Sequence, residues 1–238
     1  RQEHLLQEEE MLLNRVKWGS GWEHLLEIAR LEGLERAYTW NPAVGCNNTE
    51  CEVRKRGKCW AMMIARRFGW SFKPHLIPER LNEPFKLGTP SVITPVSMGD
   101  IFGLNLKDAA KILDVIWNCR HHIFALLSKL PNDAYALNFD PYPDNVWFGV
   151  TVNTQRDVWR LDILRKTRAK KKYCLFEPLY GPIKYDLSWL DLIVIGPQNY
   201  PTVQPKKEWV ESIVKNAKGT RIFFKSKLDP RLIPKGGA

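Results

Sequence analysis

Val146-Trp147-Phe148-Gly149-Val150-Thr151-Val152 is an apolar run without polar alternation, and Thr154 to Leu164 behind it reads as a helix. A strand that is apolar on both sides has to be covered on both faces, which is the condition of a parallel sheet in an α/β protein. The same unit recurs in both directions. Upstream, Ser91 to Ser97 is strand-like, with Pro95 arguing for an edge, a bulge or an early end; helix Asp108 to Trp117 and strand Ile123 to Leu127 follow. Downstream, strands are expected at Tyr173 to Phe176, Leu192 to Ile195 and Arg221 to Phe224, with a helix from Pro205 to Ala217. A short strand before Cys46 brings the count to six or seven βα units. The expected fold is therefore α/β, a partial TIM-type parallel barrel over residues 37–238. Residues 1–36 read as an N-terminal helical extension, interrupted at Gly19-Ser20-Gly21 and resumed from Trp22 to Arg36; a turn or helix is expected from Pro131 to Leu137.

Polar residues sit where these strands end. They are Ser97-Met98-Gly99-Asp100, Ser128-Lys129, Thr151-Val152-Asn153, Glu177-Pro178, Gly196-Pro197-Gln198-Asn199 and Lys225. In a parallel barrel the strand C-termini open on one face, where ligands bind, so six such ends in succession point to one site at one rim.

The 36 Lys and Arg against 26 Asp and Glu give a net charge of +10, which favours a polyanionic partner and above all nucleic acid, DNA or RNA. With 44% hydrophobic residues the chain has material for a core. No apolar run reaches the roughly eighteen residues that a membrane span needs, and Arg1-Gln2-Glu3-His4 opens no signal region. Five cysteines, three of them clustered, suit a reducing cytoplasm better than a secreted disulfide framework.

The cluster lies in Trp40-Asn41-Pro42-Ala43-Val44-Gly45-Cys46-Asn47-Asn48-Thr49-Glu50-Cys51 and continues to Lys58-Cys59-Trp60-Ala61, where a helix-like run begins. Thiolates bunched in this way usually share a metal. Structural zinc would need a fourth ligand, from His75, Cys119 or Cys174. A four-iron cluster held by three cysteines would leave one iron open to a small molecule. Cys119 and Cys174, in a helix end and an apolar strand, read as small buried hydrophobes, and His121-His122 shows no evident metal partner.

These stretches resemble a prokaryotic and phage family of three-cysteine radical-SAM-like barrel proteins. Thr39-Trp40-Asn41-Pro42 through Gly45-Cys46 to Cys59-Trp60-Ala61 is similar to its T-W-N-P-x-x-G-C and C-Y/W-A motifs. Pro78-Glu79-Arg80-Leu81, Ser97-Met98-Gly99-Asp100-Ile101-Phe102, Leu126-Leu127-Ser128-Lys129-Leu130-Pro131, Asn145 to Val152 and Glu177-Pro178-Leu179-Tyr180-Gly181-Pro182-Ile183 resemble further family stretches, in order, over residues 38–227. Two departures stand out. The spacing is C-x4-C-x7-C rather than C-x3-C-x2-C, and Gly196-Pro197-Gln198-Asn199-Tyr200 replaces G-G-E-S-G, so the carboxylate is missing.

The resemblance implies a [4Fe-4S] cluster on Cys46, Cys51 and Cys59, S-adenosyl-L-methionine as cofactor, and an electron donor as partner. The expected activity is reductive cleavage of S-adenosylmethionine to a 5′-deoxyadenosyl radical, acting on a nucleic acid or nucleotide-derived substrate. Ser97, Gly99 and Asp100 would lie near its methionine end, Lys129, Thr151, Asn153 and Glu177 mid-pocket, and Gln198 and Lys225 toward the last strands. Two basic runs, Arg54-Lys55-Arg56 with Lys58, and Arg165-Lys166 with Arg168 and Lys170-Lys171-Lys172, are the expected nucleic-acid contacts. The competing readings are a non-catalytic, zinc-binding nucleic-acid-binding protein and a barrel that kept the fold, lost the cluster and acts through a partner.

Overall fold

The computed structural model describes residues 13–131 and 142–235. The helical reading of residues 1–12 and most of the Pro131 to Leu137 reading fall outside the described residues. Ten strands are described. They are β1 (Asn14–Arg15), β2 (Ala37–Trp40), β3 (Ala43–Val44), β4 (His75–Leu76), β5 (Val92–Pro95), β6 (Ile123–Ser128), β7 (Val146–Thr151), β8 (Lys171–Phe176), β9 (Leu192–Ile195) and β10 (Ile222–Phe224). The helices are α1 (His24–Leu31), α2 (Glu52–Lys55), α3 (Trp60–Arg67), α4 (Glu83–Lys86), α5 (Leu106–Asn118), α6 (Trp159–Lys166) and α7 (Lys207–Ala217).

Eight strands form one sheet in the order β1-β2-β5-β6-β7-β8-β9-β10, parallel throughout except for β1, which runs antiparallel to β2. The α/β class and the largely parallel sheet agree with the reading of the sequence. No pairing closes β10 back onto β1 or β2 among the described residues, so the closed barrel is not seen. Pro95 resolves as an early end: β5 lies inside the sheet, stops there, and is followed by Val96 at φ 54°.

Alternation along each strand divides two cores. Val146, Phe148 and Val150 of β7 join α5, α6 and α7 in the larger cluster, whereas Trp147 joins the smaller one. That smaller cluster also takes Ala37, Val92, Ala125, Tyr173, Leu192 and Val194 from the other strands, and its cover is α1 through Leu25, Ile28 and Ala29. The N-terminal segment is thus built into the sheet's second face. Residues 13–23 correct the helical expectation. Leu13 faces the larger core and Val16 the smaller, a strand-like alternation that lets Asn14 and Arg15 pair with Thr39 and Tyr38.

Bonds tie the N-terminal segment to the residues flanking β10. Lys225 Nζ donates to the Gly21 carbonyl at 2.5 Å, the Ser226 amide donates to Glu23 at 2.7 Å, and Arg221 pairs with Glu27. No helix among the described residues is long and apolar enough to cross a membrane.

Candidate functional site

The cysteine segment is gripped at both ends. β3 and β4 pair antiparallel, placing Gly45 and Cys46 against Phe72 and Lys73; the Cys46 amide donates to the Phe72 carbonyl at 3.1 Å. Gly45 has φ +92°, and a Cβ there would collide with the Lys73 carbonyl, so only glycine fits. Its amide donates to the Met98 carbonyl at 3.1 Å, and Gly45 forms a parallel bridge with Gly99. Arg54 Nη1 donates to the carbonyls of Cys46 (3.1 Å) and Asn48 (3.4 Å), folding the basic insert back over the loop. Cys51 and Cys59 are the residues that precede the first turns of α2 and α3. All three cysteines are free thiols.

Burial, opposed by the Asn48 amide on its sulfur, pushes the Cys46 thiol up to about 11; Asp100 and Cys51 raise it further and Lys129 lowers it. Any metal taken here therefore has to displace a proton. A single tetrahedral zinc, with Zn–S of about 2.3 Å, would draw its sulfurs to about 3.8 Å of one another. Cys46, Cys51 and Cys59 do not form a group with all ligand atoms within 4.8 Å of one another. Three free thiols carried on one segment are the donor type that either an iron–sulfur cluster or a zinc ion takes.

Behind this loop, Trp40 Nε1 donates to the Arg80 carbonyl at 2.7 Å, and Asn41 Oδ1 accepts from Ser97 Oγ (3.1 Å) and the Met98 amide (3.0 Å). Asp100 is buried and bound on both oxygens, accepting from Ser128 Oγ (2.9 and 3.1 Å), the Lys129 amide (2.7 Å) and the Phe102 amide (3.2 Å). Burial pushes its carboxyl above the ordinary range, against these donors. Ser97, Gly99 and Asp100 therefore position the loop after β5 and do not line the cavity.

The cavity, of about 400 Å³, opens over the smaller core at the C-terminal ends of the strands. Of the residues expected at the rim, it brings together Lys129, Thr151, Glu177 and Gln198, with Lys58 from the basic insert. Val53, Trp60 and Ile64, flanking Cys51 and Cys59, form the wall on the cysteine side. Lys225 stands behind Glu177, paired with it at 3.0 Å; Asn199 Nδ2 donates to the same carboxylate at 3.2 Å. This pair crosses Gly196, where a Cβ would lie 2.8 Å from Lys225 Cγ and 3.1 Å from Glu177 Cδ. Gln198 is held by Tyr180 OH at 2.8 Å and donates to the Pro201 carbonyl at 3.2 Å. Asn153 lies behind the wall, its Nδ2 donating to the Pro178 carbonyl at 2.7 Å.

Several buried polar atoms at this end of the sheet have no protein partner among the described residues: Thr151 Oγ1, Asn153 Oδ1, Asn199 Oδ1 and both ring nitrogens of His24. Each such atom costs about 1–3 kcal/mol. His24 lies at the cavity floor on α1, in a helix where no motif of the sequence points to it.

A family model described as "Protein of unknown function (DUF5131)" matches residues 35–228. The chain belongs to the DUF5131 family. No curated protein and no solved structure matches it. The DUF5131 match runs from just before β2 to just beyond β10, so it contains the cysteine loop and every parallel strand but not α1.

The two basic runs of this DUF5131 chain lie at opposite ends of the sheet. Of the first run, Lys58 lines the cavity, Lys55 pairs with Glu50 at 2.6 Å and Arg56 lies over the Tyr180 ring. Arg165 to Lys172 runs from the end of α6 into the N-terminal end of β8, away from the strand C-termini. There Lys170 pairs with Asp144 (2.7 Å), Lys171 with Asp191 (3.3 Å), and Lys172 Nζ donates to the Arg165 and Thr167 carbonyls; Arg168 and Lys166 belong to the same exposed turn.

Cys119, His121 and His122 do come together, with ligand atoms all within 4.8 Å. Yet His122 Nδ1 accepts from the Ser91 amide (3.2 Å) and its Nε2 meets the Pro84 carbonyl (3.0 Å), while His121 Nε2 meets the Leu87 carbonyl (3.2 Å). With both nitrogens of His122 engaged, no lone pair is left there for a metal.

Proposed function

We propose that this chain is a radical SAM-type enzyme in which Cys46, Cys51 and Cys59 hold a [4Fe-4S] cluster and S-adenosyl-L-methionine binds in the adjoining cavity, the substrate being a nucleic acid or a nucleotide-derived molecule. The observation that carries the reading is shared walls: residues beside Cys51 and Cys59 close one side of a cavity whose other sides are strand C-termini. The three free thiols on the segment that borders this cavity support it.

We also read the sheet as an incompletely closed barrel. Seven parallel strands in sequence order make every crossover run in one direction, which puts the connecting helices on one face and curls the sheet around the other. α1 fills that inner face.

The cluster, when bound, supplies a single electron to S-adenosylmethionine, the chemistry by which such enzymes start hydrogen abstraction. The chain's own residues do the rest. Lys129 lowers the cost of thiolate at Cys46. Val53, Trp60 and Ile64 keep water from the cysteine side of the cavity. Lys225 and Asn199 fix the Glu177 carboxylate, and Thr151 and Asn199 offer unpartnered oxygens to a bound polar group. An electron donor must dock from outside.

The test is anaerobic reconstitution. About four irons per chain, a broad visible absorption, and 5′-deoxyadenosine released on adding dithionite and S-adenosylmethionine are expected. About one zinc per chain with no iron uptake would replace this reading by that of a zinc-binding nucleic-acid-binding protein.

A further inference from the structure

The floor of the cavity asks for a ligand that the cysteines do not explain. His24 is fully buried, lines the cavity, and has neither ring nitrogen bonded to protein among the described residues. Burial, and then the charge of Lys225, push its pKa well below the ordinary value. The imidazole is therefore neutral and presents one N–H donor and one acceptor. Thr151 Oγ1, also unbonded, stands on the same lining.

Above this polar floor the lining is flat and cationic. Trp22, Trp60 and Tyr200 supply ring surfaces, while Lys58, Lys129 and Lys227 have no acidic partner among the described residues. The acid on the lining, Glu177, is already neutralised by Lys225. The volume of about 400 Å³ lies within the roughly 300–1,000 Å³ of small-molecule pockets. Under the enzyme reading the nucleotide shares the cavity with S-adenosyl-L-methionine, which that reading seats toward the Val53, Trp60 and Ile64 wall. A planar heterocycle with donors and acceptors on its edge, carrying a phosphate, matches all of these features.

We propose that the cavity is a single-nucleotide site, in which His24 and Thr151 read the polar edge of the base and Lys129, with Lys58 and Lys227, holds the phosphate. The site deepens the substrate class of the enzyme reading and rests on that reading for the fate of the nucleotide; occupancy itself needs no metal. The nucleotide is either free or one unit turned out of a strand.

Binding is measured by tryptophan fluorescence and calorimetry on the full chain, both metal-free and after anaerobic iron loading. The probes are the 5′-ribonucleoside monophosphates, their nucleosides, short single-stranded oligonucleotides and S-adenosylmethionine. One monophosphate is expected to bind about tenfold tighter than its nucleoside and than the others. His24→Phe and Thr151→Val should each erase the base preference, and Lys129→Met the preference for phosphate. His24→Phe should melt no lower than the parent, because it removes two unpartnered nitrogens from the interior. Tighter binding of the oligonucleotide assigns a strand as the source, and tighter binding of the monophosphate a free nucleotide. Binding of S-adenosylmethionine alone, or base preference unchanged in a folded His24→Phe, overturns the site. Iron loading and 5′-deoxyadenosine release without nucleotide binding overturn the site alone. Nucleotide binding without iron uptake overturns the enzyme reading alone.

Discussion

A methyl group at Gly45 would run into the Lys73 carbonyl, and its φ of +92° is strained for any other residue. Gly45→Ala should therefore lower unfolding free energy by about 3 kcal/mol in urea titration and reduce iron loading, because it shifts Cys46. Cys59→Ala, with little packing to lose, should cost little stability in the metal-free chain yet abolish most iron uptake in the same reconstitution. At this scale the sequence made the shared cavity wall of Lys129, Thr151, Glu177 and Gln198 readable, because special residues at strand ends converge in a parallel sheet. It hid His24, which opens a short amphipathic helix with no motif around it and becomes visible only when α1 is folded onto the sheet. Asp100, also named from the sequence, lies off the cavity lining, its carboxylate bonded to Ser128 and the Lys129 backbone amide.

Among the elements, α1 carries more than its length suggests. Ile28 is fully buried against the inner face, so Ile28→Ala should cost about 3 kcal/mol, measured by thermal or urea unfolding, and weaken nucleotide binding through the helix that bears His24. The parallel strands were legible because their long apolar runs leave no other stable home. The end of α1 was not, although a signal was present. Gly33 at φ +69° lets its amide reach the Arg30 carbonyl (3.3 Å) and the Leu34 amide reach that of Ala29 (2.7 Å), stopping the helix at Leu31 rather than Arg36. β1 escaped because two residues are too few for a periodicity; only the opposite burial of the residues flanking them gives the strand away.

For the whole molecule, charge and protonation make separate predictions. The run from Arg165 to Lys172 lies away from the cavity, so replacing Lys166 and Lys170 by alanine should lower the log–log salt slope of polyanion binding by about one for each phosphate-neutralising lysine removed, and leave 5′-deoxyadenosine release unchanged. Burial, and then the charge of His121, lower His122 to about 4. Between its ordinary value of about 6.5 and that lower one, the unfolded chain takes a proton that the folded chain refuses, so stability falls as pH drops through this window. Melting temperature should decline from about pH 7 to about pH 4.5, and His122→Gln should recover about 2 kcal/mol of that loss after allowance for screening. Lastly, the bonds from Gly21, Glu23 and Glu27 to Lys225, Ser226 and Arg221 join residues about two hundred positions apart. Ribosomal synthesis delivers one half of each bond long before the other, and contacts of such separation form late. Until β10 emerges, the nascent protein carries its three clustered cysteines without a finished chamber beside them, so the thiols stand ready before the enclosure does.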